Sequence, residues 1–310
     1  SLYFQRHDGK AVTCDDFAQA VADANENSDL ARLLPQFKRW YSQAGTPHVR
    51  GAGHWDAASG CYRLTLSQHC APTPGQHDKL PFVIPMTLGL LDAQGHEMPL
   101  QLEGWDGPRH GSHTFVLTQA EQTLVFTGLA SEPVPSLLRG FSAPVVLDME
   151  QSDEQLLTLL AHDTDAFNRW EAAQRLALRR ALAAIRQDGP VNHHPLDTAF
   201  IEAMRAVLRH PGLDAAFKEL VLTFPAETYI AEQLGVVDPQ RVHAVREAMR
   251  EQLAHALHED WVWAWEQHRE NGAYRPDPVS TGRRALSGLA LTMLCLAARE
   301  NGNPVWPGKA

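Results

Sequence analysis

The sequence predicts a multidomain α and β protein: a short helical segment, then a β-sandwich, then an α-helical bundle or solenoid. Three observations predict it. Apolar residues recur at helical spacing up to Gly45, alternate every second position from residue 46 to 150, and return to three- and four-residue intervals from Ser152 onward. The first change falls on Gly45-Thr46-Pro47, a turn signal. The expected domains are therefore 1–45, 46–150 and 151–310.

The opening segment holds two helices. In "TCDDFAQAVADAN", Thr13 stands at an N-cap position, and Asp15 and Asp16 in the first turn suit the positive end of the helix dipole. Phe17, Val21 and Ala24 then mark an apolar stripe. The second helix, "DLARLLPQFKRWY", places Leu30, Leu33, Leu34, Phe37 and Trp40 near one face, with Pro35 close to its start or kinking it. Two helices cannot close a core, so residues 1–45 read as the tail of another domain. "SLYFQ" resembles the end of a protease-cleavable tag, but Arg6 follows Gln5 where such a tag carries Gly or Ser, so it is read as native sequence.

The middle segment reads as β. "CYRLTLSQ" alternates strictly, with Tyr62, Leu64 and Leu66 on one side and Arg63, Thr65 and Ser67 on the other. "FVIPMTLGLL" is a longer strand that Pro85 limits to an edge or a bulge. "DAASG" and "DAQG" are turns, and further strands fall at "HTFVL", "TLVFTGL" and "APVVLDM". Seven or so short strands without helical interruption suggest a small sandwich.

Beyond Ser152, "SDEQLLTLLAH" opens with a good N-cap. The next helix places Phe167, Trp170, Ala173, Leu176 and Leu182 along an apolar face. Later helices are expected at 196–208, 213–222, 226–234, 239–269 and 279–300. Antiparallel helices joined by Gly- and Pro-containing turns give a bundle or solenoid.

Composition narrows the function. The net charge of -10, from 27 basic and 37 acidic side chains, argues against general nucleic-acid binding. The basic run Arg175, Arg179 and Arg180 reads as a solvated helix face. No apolar run reaches the roughly 18–20 residues that cross a bilayer, and "ALSGLALTMLCLAA" reads as a buried helix. Cys14, Cys61, Cys70 and Cys295 lack CxxC spacing and suit reduced thiols in a cytoplasm; a Cys61–Cys70 bridge across a sheet stays open.

No complete active site emerges. HExxH is absent, because Glu259 after His258 is followed by Asp260, Trp261 and Val262. His255 and His258, one turn apart, could share a metal with a carboxylate, although two histidines on a solvated helix face is the preferred reading; His193 and His194 in a proline-flanked loop are read the same way. GxSxG, GxGxxG and GxxxxGK[ST] do not occur. Asp15 with Asp16, and Glu259 with Asp260, are read as helix-start and surface charges. Trp261, Trp263, Trp265 and Trp306 are read as packing rather than a stacking surface.

Four ordered stretches carry a resemblance: "LYFQRHDGKAVTCDDF", "FKRWYSQAGTP", "LTQAEQTLVF" and "PVPSLLRGFSAPV". They closely resemble the bacterial aminopeptidase N family, cytosolic zinc metalloaminopeptidases of the M1 (gluzincin) class. "HDTDAFNRWEAAQ" and "GVVDPQRVHAVREAMREQLA" resemble the family's C-terminal region, so the likeness spans essentially the whole chain. It implies a fragment: the last helices of a thermolysin-like catalytic domain, the whole β-sandwich, and part of the helical domain. The family's zinc motif HExxH with a downstream Glu, its GxMEN-type exopeptidase motif and its catalytic Tyr have no counterpart here, and Tyr3 is not that Tyr. No catalytic, substrate-binding or metal-ligating residue is therefore assigned. The resemblance implies no cofactor in this chain but zinc in the full-length parent, and peptide substrates for that parent. The other implied partners are the parent's remaining domains, with neither nucleic acid nor membrane, in a cytoplasmic setting. The rival is a stand-alone binding module of sandwich plus solenoid, against which the unburied stripe of residues 1–45 speaks.

Overall fold

The computed structural model describes residues 1–191, 193–270, 272–301 and 305–309. The chain forms two compact units, Ser1–Glu150 and Gln151–Ala310.

The first unit opens with helices α1 (Leu2–His7), α2 (Cys14–Asp23), α3 (Asp29–Phe37) and α4 (Arg39–Ser42). Thr13 and Asp16 form a full capping box at α2. Ser28 caps α3, which carries Pro35 inside it and gives way at Lys38 to α4. Eight strands follow among the described residues: β1 (His48–Asp56), β2 (Cys61–His69), β3 (Ile84–Leu91), β4 (Glu97–Met98), β5 (His113–Leu117), β6 (Glu121–Phe126), β7 (Val134–Leu137) and β8 (Val146–Met149). One sheet runs β6-β2-β1-β8, with β8 parallel to β1; the other runs β4-β3-β5, with β7 also paired to β3.

The alternation in β2 places its side chains as expected. Tyr62, Leu64 and Leu66 are buried, and with Ile84, Met86, Leu88, Phe115 and Phe126 they fill the space between the sheets. Burial pushes the Tyr62 phenol up, helped by the charge of Glu132. Pro85 lies where β3 pairs with β5 alone, since β7 joins β3 only from Leu88 onward. A residue without an N–H is tolerated there. Cys61 and Cys70 do not face each other across the sheet. They sit at opposite ends of one strand, roughly 3.3 Å per residue apart along it, and all four cysteines are free thiols.

The second unit contains α5 (Asp153–His162), α6 (Ala166–Arg186), α7 (Thr198–Arg209), α8 (Ala215–Leu222), α9 (Glu227–Ala231), α10 (Pro239–Ala256), α11 (His258–His268) and α12 (Pro278–Asn301). The single helix expected over 239–269 is two. Leu257 leaves the helical region (φ -110°, ψ 23°) with its side chain fully buried. Arg205 of α7 donates to the Ala256 carbonyl at the break, and Arg205 and Arg209 both bind Asp260 just beyond it. Packing against α7 thus fixes the bend.

On α6 the apolar face also differs from expectation. Its buried line is Ala172, Ala173, Leu176, Ala177, Ala181 and Ala184, whereas Phe167, Trp170 and Leu182 are only half-buried. Small side chains let helices approach closely, so the large ones lie at the rim of the contact.

Candidate functional site

The stretch Gln36–Ala44 is stitched to the sandwich through groups that a strand would otherwise satisfy. Trp40 Nε1 donates to the Val83 carbonyl at 2.8 Å, and its ring packs on Phe82. Gln36 Nε2 reaches the carbonyls of Pro81 (3.2 Å) and Thr118 (2.6 Å), and Arg39 also donates to Pro81. Gln43 pairs both ways with Leu80, donating to its carbonyl at 2.9 Å and accepting from its N–H at 2.8 Å. Gln76 does the same for Ala44 and Ser42, and Lys79 donates to the Ala44 carbonyl. Gly45 follows at φ 97°, where a Cβ would stand 2.9 Å from Cys70 Sγ. The end of α3, α4 and the turn that follows are thereby tied to the sandwich.

What the opening helices present is apolar. In α2 the buried residues are Ala18, Ala20 and Ala22, of which Ala18 and Ala22 pack with Leu34 of α3. Of the expected stripe, Val21 is half-buried, whereas Ala24 is exposed and Phe17 is 50% exposed; Phe4, outside the stripe, is 63% exposed. Tyr3 meets Phe17 edge-on at 5.2 Å and Phe4 at 5.6 Å, which gathers three aromatic rings. Arg6 pairs with Asp23, and Lys38 with Asp15 at 2.9 Å. An aromatic cluster flanked by ion pairs has the composition of an interface core. Asp16 is not part of that chemistry: its carboxyl is held low by the Thr13 backbone and hydroxyl that it caps.

The sequence-level candidates for chemistry disperse in the second unit. His255 closes α10 and His258 opens α11, both exposed, with the Leu257 break between them. His255 instead joins Glu251, His193 and His194 around a cavity of about 540 Å³. Among the described residues, no three His, Cys, Asp or Glu side chains stand where they could hold a metal ion.

The basic run of α6 is not a solvated face. Arg179 and Arg180 pair with Asp153 at 2.7 and 3.1 Å, Arg180 also binds Asp197, and Arg175 donates to Gln151. Of the tryptophans, Trp261 is fully buried and Trp265 packs edge-on against Trp306 at 5.4 Å. Trp263 is half-buried beneath Arg209, whose guanidinium carbon lies 4.2 Å from the ring centre. No helix among the described residues is long and apolar enough to cross a membrane.

Two family models match. Residues 45–150 fit DUF3458, a domain of unknown function with an Ig-like fold, and residues 153–305 fit DUF3458_C, described as ARM repeats. The chain is 38% identical to aminopeptidase N of Escherichia coli over 94% of its own length, covering 32% of that protein. It is 37% identical to aminopeptidase N of Haemophilus influenzae, with 94% of this chain and 33% of the relative covered. The Caulobacter vibrioides protein of the same name is also 37% identical, with 92% and 31% covered. The chain thus spans about a third of the length of these relatives. A crystal structure of Legionella pneumophila aminopeptidase A in complex with aspartic acid superposes with a TM-score of 0.76 at 24% identity, over 96% of this chain and 33% of that one, a likeness of fold.

Proposed function

We propose, from the premise that this chain is a homologue of aminopeptidase N along nearly its whole length, that it is the β-sandwich and helical scaffold of a longer zinc-dependent aminopeptidase. The observation that carries the proposal is the pairing of two coverages: 94% of this chain matches a relative of which it spans only 32%. That enzyme would be a cytoplasmic M1 metallopeptidase that releases N-terminal residues from peptides. Its zinc, which when bound lowers the pKa of its water, would be held outside this stretch.

The role left to this chain is mechanical. The Gln36–Ala44 stitch ties the end of α3 and α4 to the sandwich, and the Tyr3, Phe4 and Phe17 cluster offers the apolar face for the catalytic domain to cover. The helical unit would help to wall the active-site chamber and limit access to peptides. On this reading the chain is catalytically silent alone.

A chimera tests the reading. In it, this chain replaces the matching third of the E. coli relative, and hydrolysis of an alanine-coupled chromogenic amide is measured against the relative lacking that third. The proposal expects the chimera to restore most of the activity. A folded, zinc-loaded chimera no more active than the truncated enzyme would overturn it.

A further inference from the structure

His48 opens β1 and His69 closes β2, and the antiparallel register sets them directly opposite each other. The register also decides the side of the sheet. Their neighbours Val49 and Gln68 are buried against the core, so both histidines point away from it; His69 is exposed and His48 half-buried. Directly opposed residues of an antiparallel pair hold their Cβ atoms about 4.5–5.5 Å apart. The two imidazole rings accordingly meet, with centres 5.2 Å apart and planes 28° from parallel.

That spacing is the one two imidazoles adopt on a single metal ion. A metal–nitrogen bond of about 2.1 Å places each ring centre roughly 3.2 Å from the ion, and two such rings 5.2 Å apart subtend about 109°, the tetrahedral angle. Histidine χ2 is a broad torsion, so each ring can turn one nitrogen to the shared point without leaving its place on the strand. The pairing of β1 with β2 runs unbroken from His48 and His69 to Asp56 and Cys61, so the fold brings the two ligands together before any ion arrives. The row alongside is acidic. Asp148, Arg50, Ser67 and Glu121 lie in line across β8, β1, β2 and β6 on the same outer face, and Glu150 pairs with Arg50 at 3.5 Å. Three carboxylates against one guanidinium favour a cation there.

We propose that His48 and His69 form a two-ligand site for a divalent transition ion, with water in the remaining coordination positions. Each neutral imidazole displaces one water from the hydrated ion. Imidazole suits Zn²⁺, Ni²⁺ and Cu²⁺, whereas Mg²⁺ and Ca²⁺ take oxygen ligands. Among the described residues no third His, Cys, Asp or Glu stands where it would complete a set of three. Two protein ligands fall short of the three or four that retain zinc in catalytic and structural sites, so the ion exchanges with solvent and dialysis removes it.

The test adds Ni²⁺ to the chelator-treated, dialysed protein and reads the thermal unfolding midpoint, with Mg²⁺ as the comparison. Nickel is used because Cu²⁺ would also react with the free thiols. An ion held only by the folded strand pair stabilises that state by mass action, so Ni²⁺ should raise the midpoint saturably and Mg²⁺ should not. His48→Asn and His69→Asn should each weaken the apparent Ni²⁺ affinity about tenfold or more. His54→Asn, at an exposed histidine of the same strand paired with Arg63, should leave it unchanged. In the unsubstituted protein, paramagnetic Ni²⁺ should broaden the imidazole resonances of His48 and His69 ahead of those of the other histidines. A Ni²⁺ response no larger than that of Mg²⁺, one unaltered in both variants, or broadening that spares these two rings would overturn the site.

Discussion

Gln68 is a buried side chain acting as a piece of backbone. It donates to the carbonyls of Phe82 and Gln119, both at 3.0 Å, and accepts from the Phe82 N–H at 2.8 Å, which joins β2 to the segment leading into β3. Gln68→Leu should lower stability by about 2–4 kcal/mol in urea unfolding, because it strands buried backbone groups. A change under about 0.5 kcal/mol would mean that water replaces the amide. Arg139, 4% exposed, works alike: it binds Ser136 at 2.7 Å, Glu97 at 2.9 Å and Ser112 at 3.0 Å, and Gly89 leaves it room. A Cβ at residue 89 would stand 2.4 Å from the guanidinium, so Gly89→Ala should destabilise by about 1–3 kcal/mol, measured by the same unfolding. Asp197 supplies a pH-dependent case. Burial works to raise its carboxyl, but the Phe200 N–H and Arg180 prevail and hold it below its ordinary value. A depressed folded value means stabilisation present above the unfolded pKa and lost as pH falls through the folded one. Asn keeps the cap, and the Asp197 carboxylate is half exposed and screened by water, so Asp197→Asn should cost only about 0.5 kcal/mol at pH 7, and the gap should close as pH drops below about 4. A gap independent of pH would contradict this.

Helix α6 shows how packing overrides pattern. Its core line is alanine, so Ala181→Leu should destabilise by about 1–3 kcal/mol, more than Leu182→Ala, the reverse of what the apolar pattern suggests. Thermal unfolding of the two variants decides it. Alternation in β2, the capping signals of α2 and α5 and the turn glycines could be read from the sequence, because each depends on neighbours within a few residues. The break at Leu257 could not: it depends on Arg205, Arg209 and Asp260 meeting across some fifty residues. The histidines at 193, 194 and 255 looked like separate surface residues until the fold set them around one cavity.

At the scale of the whole molecule, the Tyr3, Phe4 and Phe17 cluster is the exposed aromatic patch on which the scaffold account leans. The exposed rings predict concentration-dependent association of the protein in sedimentation, which Phe17→Asp should weaken while leaving the unfolding midpoint within about 2 °C, since that ring is half exposed. Association unchanged by the substitution would place the sticky surface elsewhere. The scaffold account itself is tested most directly by one measurement on the purified protein: hydrolysis of alanine- and arginine-coupled chromogenic amides, with zinc content determined on the same sample. The account predicts no turnover and no stoichiometric zinc. Chelator-sensitive turnover would contradict it and direct mutagenesis to His193, His194, Glu251 and His255, which line one cavity.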